Sequence, residues 1–339
     1  MKAIQIQRFG GPEVLELAEV ERPAPGPGEV LIRVAGAGVN FADLNQRAGK
    51  YLFPQKLPLI PGFEASGTVV AAGKGAELLA VDRSVLEPGT RVFAGAARSA
   101  YAEYAIVPAD VLYRVPDAMS LVEAAGIPVN FQVAWIVLHR KAQLQQGQTV
   151  LVHAAGGGVG SAVVQLAKLA GAYVIATASS AAKLAVAAEL GADLCINYSS
   201  GFRDQIRESM RADRPVDLVV DSVGGGVLVE SLELIRPWGR YVGFGQASGK
   251  AAELDAYASA IPNHLDIGFF GRGLIASSRE PSDRALLREA TSRAVALWSS
   301  RKIRCARLTR LALADAAEAH RRFSSRGLVG KLVLEAGAD

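Results

Sequence analysis

Residues 149–160, TVLVHAAGGGVG, decide how this chain is read. A short apolar run closes on Gly156, Gly157, Gly158 and Gly160, and an apolar run bearing Gln and Leu follows over 161–170. The pattern predicts a buried strand, a tight turn and a helix. Glycine there removes the Cβ that would keep a phosphate from the backbone N–H groups, and a helix N-terminus adds partial positive charge. The strict G-x-G-x-x-G spacing is absent; the match is Ala154-x-x-Gly157-x-x-Gly160, with Gly156 and Gly158 added. A glycine run after a strand, opening a helix inside a repeating strand–helix pattern, reads as a dinucleotide-binding turn rather than a bare loop. Gly157, Gly158 and Val159 are the residues expected to cradle a pyrophosphate.

Working outward, strands are expected at 150–153, 173–177, 194–197, 216–221 and 240–244, with a sixth around 266–270. Helical stretches such as 181–190 and 202–212 separate them. Strands alternating with helices imply right-handed βαβ units and a doubly wound parallel sheet. Residues 1 to about 120 read differently. They form many short strands punctuated by Pro23, Pro25, Pro27, Pro54, Pro58 and Pro61. The expected fold class is therefore α/β, with a β-rich domain over 1–122 and a Rossmann-type parallel-sheet domain over 123–272. The tail offers helices at 284–299 and 314–323 and a last strand at 331–335. A terminal strand needs a partner sheet, so 273–339 is expected to complete the first domain.

Composition narrows the function classes. The 339 residues hold 37 Lys and Arg against 33 Asp and Glu, a net charge of +4. The basic residues are scattered; the densest cluster, Arg301-Lys302-Ile303-Arg304, reads as a solvated face, and no nucleic-acid partner is expected. Cys195 and Cys305 are far apart, which argues against a disulfide framework and a cysteine zinc cluster. The opening MKAIQIQRFG alternates like a strand and lacks the pattern of a leader. No apolar run reaches about 18 residues without a charge or a Gly/Pro break, so no membrane span is expected. A cytoplasmic protein is the resulting expectation.

The end of the second parallel strand bears on which dinucleotide is held. An NAD site places an acid about 20 residues after the turn, to bond the ribose 2′-hydroxyl. Here the strand ends in Ala178-Ser179-Ser180, and Lys183 follows one helical turn on. An acid would repel a 2′-phosphate, whereas hydroxyls and a lysine bind one, so NADPH is the expected cofactor.

The turn Ala154-Ala155-Gly156-Gly157-Gly158-Val159-Gly160 resembles that of zinc-independent medium-chain dehydrogenases/reductases, the quinone oxidoreductase family. So do Gly38-Val39-Asn40-Phe41-Ala42-Asp43, Pro61-Gly62-Phe63-Glu64-Ala65-Ser66-Gly67, Ile196-Asn197-Tyr198 and Asp221-Ser222-Val223-Gly224-Gly225, in the family's order and nearly end to end. Pro128-Val129-Asn130-Phe131 together with the turn is similar to the synaptic-vesicle-protein branch of that family. The resemblance implies a GroES-like first domain. It also implies that Lys183 and Tyr198 line the 2′-phosphate site, and that Asn40 lies near the nicotinamide. Phe244 and Gly245, closing the fifth strand, and Lys331, opening the last one, join the expected cofactor set. One departure is Val133, where family members carry a threonine near the nicotinamide phosphates.

Zinc-dependent relatives have Cys at the position of Asn40 and Gly-His-Glu at Gly62-Phe63-Glu64. Neither Asn40 nor Phe63 replaces those ligands, so no metal is expected. Without a metal to polarise an alcohol, reduction of a quinone or of the C=C of an α,β-unsaturated carbonyl is the expected reaction. Tyr51 matches the loop tyrosine of zinc-free enoyl reductases and is the candidate proton donor, with Asn40 beside it as a second catalytic candidate. Two alternatives stay open: an enoyl-thioester reductase of fatty-acid or polyketide metabolism, and a non-catalytic NADPH-binding protein. Asn40 also reads as an N-cap for a helix starting at Phe41 or Ala42. The run Ile267-Gly268-Phe269-Phe270-Gly271 is expected to be an edge strand that joins a homodimer.

Overall fold

The structure is a computed structural model that describes every residue except Asp82, Arg279, Arg326, Ala338 and Asp339. In chain order the strands are β1 Lys2–Gln5, β2 Glu16–Glu19, β3 Glu29–Gly38, β4 Ala65–Ala72, β5 Arg91–Ala94, β6 Tyr104–Pro108, β7 Tyr113–Arg114, β8 Thr149–Val152, β9 Tyr173–Ala178, β10 Leu194–Asn197, β11 Val216–Asp221, β12 Ile235–Gly243, β13 Asp266–Phe269, β14 Leu308–Ala312 and β15 Lys331–Glu335. The chain divides into two compact units: residues 1–129 with 273–339, and residues 130–272.

In the first unit, one sheet runs β14-β15-β3-β4-β5-β7, with β6 also on β3. The last strand supplies the partner that closes the sheet: β15 lies antiparallel to β3, pairing Val333 with Gly38. Val30, Ile32, Val92, Leu332 and Leu334 pack with Ile4 and Tyr101 into the core of this unit. The short helix Leu121–Ala124 also belongs here, started by a capping box in which Ser120 and Glu123 exchange hydrogen bonds. Helix Pro281–Ser299 is tied down by Arg284, which grips Asp110. Strand β14 departs from expectation. Leu308-Thr309-Arg310-Leu311-Ala312 is a half-exposed edge strand in which Thr309 and Arg310 interrupt the apolar residues, so it lacks a strand-like alternation.

The second unit is a six-stranded parallel sheet in the order β10-β9-β8-β11-β12-β13. The order reverses between β8 and β11, the switch point at which open α/β sheets take ligands, outside the carboxyl ends of their strands. Leu151, Ile175, Val219 and Tyr241 from the sheet pack with Phe202, Ile206 and Leu228 from the helices. Strand β12 starts ahead of the expected residue 240, because an irregular register between Val216 and Leu218 lets Ile235 pair before Trp238 turns out at φ +66°. Strand β13 is an edge.

One stretch, Leu121–Lys141, is long and apolar enough by composition to cross a bilayer, and most of it is buried in the protein. It is broken between Ala124 and Pro128, so it is not one continuous helix.

Candidate functional site

Strand β8 delivers the chain to the glycine turn at the switch point. Ala154 takes φ +52°, and the turn closes through Gly157 N–H donating to Ala154 O at 3.0 Å. Gly157 then caps α2, Gly158–Leu169, with no side-chain partner for the helix's first amides. Those first-turn N–H groups have no acceptor within their own helix. The surrounding glycines are required by close approach. A Cβ on Gly160 would sit 2.3 Å from Ala154 O, and one on Gly156 would sit 2.6 Å from Lys183 Cβ and 2.7 Å from its carbonyl. Gly157 differs: the nearest atom to its Cβ would be Ala154 O at 3.4 Å, an ordinary contact. The turn is thus packed tight against its own framework and open at Gly157, a cradle that fits a dinucleotide pyrophosphate.

The other residues expected in this unit gather at the same carboxyl edge. Ser179 follows β9, and Lys183 lies on the first turn of α3, Ala181–Glu189, with Lys183 Nζ 3.4 Å from Ser179 Oγ. Tyr198 opens the turn after β10, where Asn197 caps Ser199 at 3.0 Å. Strand β9 pairs with β10, so Ser179 and Tyr198 leave neighbouring strands. Phe244 and Gly245 follow β12. Phe244 N–H donates to Asp221 O at 2.9 Å, and a Cβ on Gly245 would meet Ser222 O at 3.0 Å. His153, next to the turn, is fully buried. Its ring nitrogens lie 2.7 Å from Thr177 Oγ1 and 2.8 Å from Ser231 Oγ, and burial holds it below the usual imidazole range. It is a packed, neutral histidine. Val133 is buried in the helix Pro128–Trp135.

In the first unit the structure places Asn40, Lys331 and Glu64 in one cluster. Asn40 caps α1, Phe41–Arg47, and its backbone N–H donates to Asp43 Oδ2 at 2.7 Å. Its side-chain amide donates to Glu64 Oε1 at 2.8 Å and to Gly38 O at 3.3 Å. Lys331 Nζ donates to Asn40 Oδ1 at 2.7 Å and to Glu64 Oε1 at 2.5 Å. Glu64 Oε2 accepts from Val129 N–H at 2.9 Å. A Cβ on Gly38 would lie 2.3 Å from Glu64 Oε1, so glycine is what admits this carboxylate. Both amide hydrogens of Asn40 are therefore engaged inside the unit, and Lys331 is only 3% exposed. Sequence reasoning assigned both side chains to the cofactor; this conformation turns them toward Glu64. Glu64 entered that reasoning only as the neighbour of a missing zinc ligand. The spacing Asn40-x-x-Asp43 signals the helix cap alone, and no local pattern joins Glu64 to Lys331.

Phe63, next to Glu64 in the chain, packs against Tyr51. The Tyr51 ring stacks on Phe63 with centroids 4.9 Å apart and meets Phe53 edge-on at 6.1 Å. Tyr51 Oη lies against Gly273, where a Cβ would come within 2.7 Å. A cavity of about 400 Å³ opens beside Phe63, walled also by Gln46, Gln55, Leu59 and Ser99. Phe63 and Asn40 stand where zinc-dependent relatives hold ligands. No three His, Cys, Asp or Glu side chains among the described residues converge as a metal-ligand group.

A β-rich unit closed by its own C-terminal strand and a doubly wound parallel sheet with a glycine turn define a class of two-unit oxidoreductases. Residues 26–117 match the alcohol dehydrogenase GroES-like domain, and residues 158–287 match the zinc-binding dehydrogenase model. The chain is 33% identical to the human synaptic vesicle membrane protein VAT-1 homolog-like, across 99% of this chain and 81% of that one. It is 36% identical to a Burkholderia 2-haloacrylate reductase, across 74% of each. Its fold is similar to that of the Escherichia coli quinone oxidoreductase solved with NADPH, with a TM-score of 0.87, 29% identity, and coverage of 99% of this chain and 100% of that one. The chain belongs to the quinone oxidoreductase family of zinc-free medium-chain dehydrogenases/reductases.

Proposed function

We propose that this protein is an NADPH-dependent, zinc-free reductase that transfers hydride to a quinone or to the C=C of an α,β-unsaturated carbonyl. The observation that carries the reading is the carboxyl edge of the parallel sheet. A tight glycine turn, open at Gly157, stands beside a strand end that offers Ser179 and Lys183 where an NAD site would have an acid. Relatives named for quinone and for 2-haloacrylate reduction, one of them solved with NADPH, support the same chemistry.

Gly157, Gly158 and Val159 would hold the pyrophosphate through first-turn amides. Ser179, Lys183 and Tyr198 would hold the 2′-phosphate, with the backbone of Phe244 and Gly245 forming the adjoining rim. Bound NADPH supplies the hydride. Tyr51 then hydrogen-bonds the substrate oxygen, stabilises the negative charge that hydride addition leaves there, and provides the proton. Its phenol is held by the face of Phe63 and by contact with Gly273, a fixed position that such a donor needs. Asn40 acts from behind, as the cap of α1 and the tether of Lys331.

We further infer a homodimer formed through the β13 edge, where Phe269 is 64% exposed and Trp238, also in this unit, is 76% exposed. Two free cysteines suit a reducing, cytoplasmic setting. The test is NADPH oxidation against a panel of quinones, enones and enoyl-CoA esters. Turnover of quinones or enones supports the reading. Turnover confined to enoyl-CoA esters would move it to thioester reduction. NADPH binding with no turnover across the panel would make the protein a non-catalytic binder.

A further inference from the structure

Helix α1 carries both of the buried side-chain polar atoms that lack a hydrogen-bond partner among the described residues, Asp43 Oδ1 and Gln46 Oε1. Their surroundings differ. Asp43 is completely buried, which pushes its carboxyl up to about 7. Its other oxygen accepts from Asn40 N–H at 2.7 Å and from the Tyr101 hydroxyl at 3.3 Å. Tyr101 Oη is in turn 3.2 Å from His320 Nε2, and Tyr101 belongs to the core of the first unit. Gln46 is 8% exposed and stands instead on the wall of the cavity of about 400 Å³ beside Phe63.

The neighbours of Gln46 fix which end of its carboxamide is the oxygen. Gln55 places one end of its own carboxamide 3.1 Å from Phe53 O and 3.3 Å from Pro54 O. Carbonyl oxygens only accept, so that end is Nε2, and Gln55 Oε1 is the atom that faces Gln46 at 2.8 Å. Gln46 must meet it with nitrogen, which leaves Gln46 Oε1 as a buried acceptor without a donor. Such an atom is costly to keep, and a ligand that brings a donor to it removes the cost.

The rest of the wall defines the kind of group that fits. Gln5 adds a third carboxamide, whose oxygen accepts from Gln7 Nε2 at 2.6 Å. Arg98 is the one cation on the wall among the described residues, and Glu29 holds its guanidinium at 3.0 Å. No carboxylate of the described residues lines the cavity, and Leu59, Ile60 and Phe63 supply apolar surface. A wall of this kind suits an uncharged group with an apolar body and a polar hydrogen. All of these residues belong to the first unit.

We propose that this cavity is a specificity subsite for the part of the substrate away from the reacting carbon, in which Gln46 selects an uncharged group bearing an O–H or N–H donor. This deepens the reading of the protein as a quinone or enone reductase and rests on it. Phe63 joins the two places, since it walls the cavity and stacks on the Tyr51 ring. Gln46 Oε1 is closed to solvent, so its carboxamide turns toward the cavity as the ligand enters. The terminal torsion of a glutamine is broad enough to allow that turn.

The experiment uses two pairs of substituted naphthoquinones, each matched in shape and differing at one atom. The 3-hydroxypropyl compound is paired with the butyl one, and the acetamidomethyl compound with the acetoxymethyl one, so the first pair tests an O–H donor and the second an N–H donor. kcat/KM with NADPH is measured in wild type and in Gln46→Met. Wild type is expected to favour the donor of one or both pairs about fivefold, through KM rather than kcat, and Gln46→Met to bring that ratio to about one. No preference in either pair, or a preference that survives in Gln46→Met, overturns the proposal. A second readout needs neither turnover nor a variant: the Gln46 side-chain amide signals of ¹⁵N-labelled wild type, titrated with the same compounds. They should shift more with a donor compound than with its partner, and equal shifts in both pairs refute the subsite. The larger shift with no reduction of any of the four compounds overturns the quinone reading and leaves the subsite standing. Reduction of all four with equal shifts does the reverse.

Discussion

Replacing Gly156 and Gly157 by alanine, one at a time, separates what the glycine turn does for folding from what it does for binding. A Cβ at 156 lands 2.6 Å from Lys183 Cβ, 2.7 Å from its carbonyl oxygen and 2.8 Å from its Cα. Two of those atoms are helix backbone, so no rotamer change relieves the clash. Restoring a contact of 3.4 Å means moving α3 away from the turn by roughly 0.8 Å. Overpacking of this kind costs about 1–3 kcal/mol. Gly156→Ala is therefore expected to lower the denaturation midpoint and to weaken NADPH binding through displaced Lys183. Gly157 has φ −90° and ψ 178°, extended backbone open to any residue, and a methyl there meets nothing closer than 3.4 Å. Gly157→Ala is expected to cost at most about 1 kcal/mol in stability, the difference between glycine and the poorer alanine at a helix N-cap with no clash added. Its methyl would still stand over the amides that meet a phosphate. A loss of about 1.4 kcal/mol in binding, tenfold in Kd, is the least expected. Thermal melts and fluorescence titration with NADPH read the two quantities separately. Gly157→Ala binding NADPH as tightly as wild type would refute the cradle, and Gly156→Ala as stable as wild type would refute the packing.

Three further outcomes follow from the geometry. Tyr51→Phe keeps the ring on Phe63 and removes only the hydroxyl; enone turnover should fall by about 10²-fold or more while NADPH affinity stays unchanged, and undiminished turnover would remove Tyr51 from proton donation. Asp43 is protonated in the folded protein up to about pH 7, whereas its ordinary value is 3.8. Between those limits the native state holds a proton that the unfolded chain has released, so this group's contribution to stability is greatest below pH 4 and declines as pH rises to 7. Its size is on the order of a few kcal/mol. Asp43→Asn should therefore gain stability over wild type across that window, as urea melts at pH 4.5, 6 and 7.5 would show. His320 gives an opposite slope below about 6.5, but both proteins share it. Phe269→Lys, at an exposed edge, should shift the assembly toward monomer in sedimentation without changing the melt of the isolated protomer.

The parallel sheet was legible because each strand is a short apolar run ending at a helix, a pattern local to a few residues. The fate of the tail was legible for a related reason: Lys331-Leu332-Val333-Leu334-Glu335 is too apolar to stand at a terminus without a sheet. Strand β14 was not, because Thr309 and Arg310 break its half-exposed residues and leave no apolar run or alternation to read. At the site, the turn and the Ser179–Lys183 pair could be read because α3 starts directly after β9. The union of Asn40, Glu64 and Lys331, and that of Asp43, Tyr101 and His320, could not. Each joins segments far apart in the chain, and a single buried polar residue does not announce its partner. Asn40 was read as a ligand contact or a helix cap; the structure shows the cap and turns the side chain inward.

The central claim is that the strand end after the glycine turn selects the 2′-phosphate. Measuring kcat/KM for NADPH and for NADH with one accepted electrophile, in wild type and in Lys183→Ala, tests it most directly. Wild type should prefer NADPH, and Lys183→Ala should lose about 10- to 100-fold with NADPH, the worth of one or two charge-assisted hydrogen bonds, while changing little with NADH. Equal use of both cofactors by wild type, or an equal loss with both in Lys183→Ala, would contradict it.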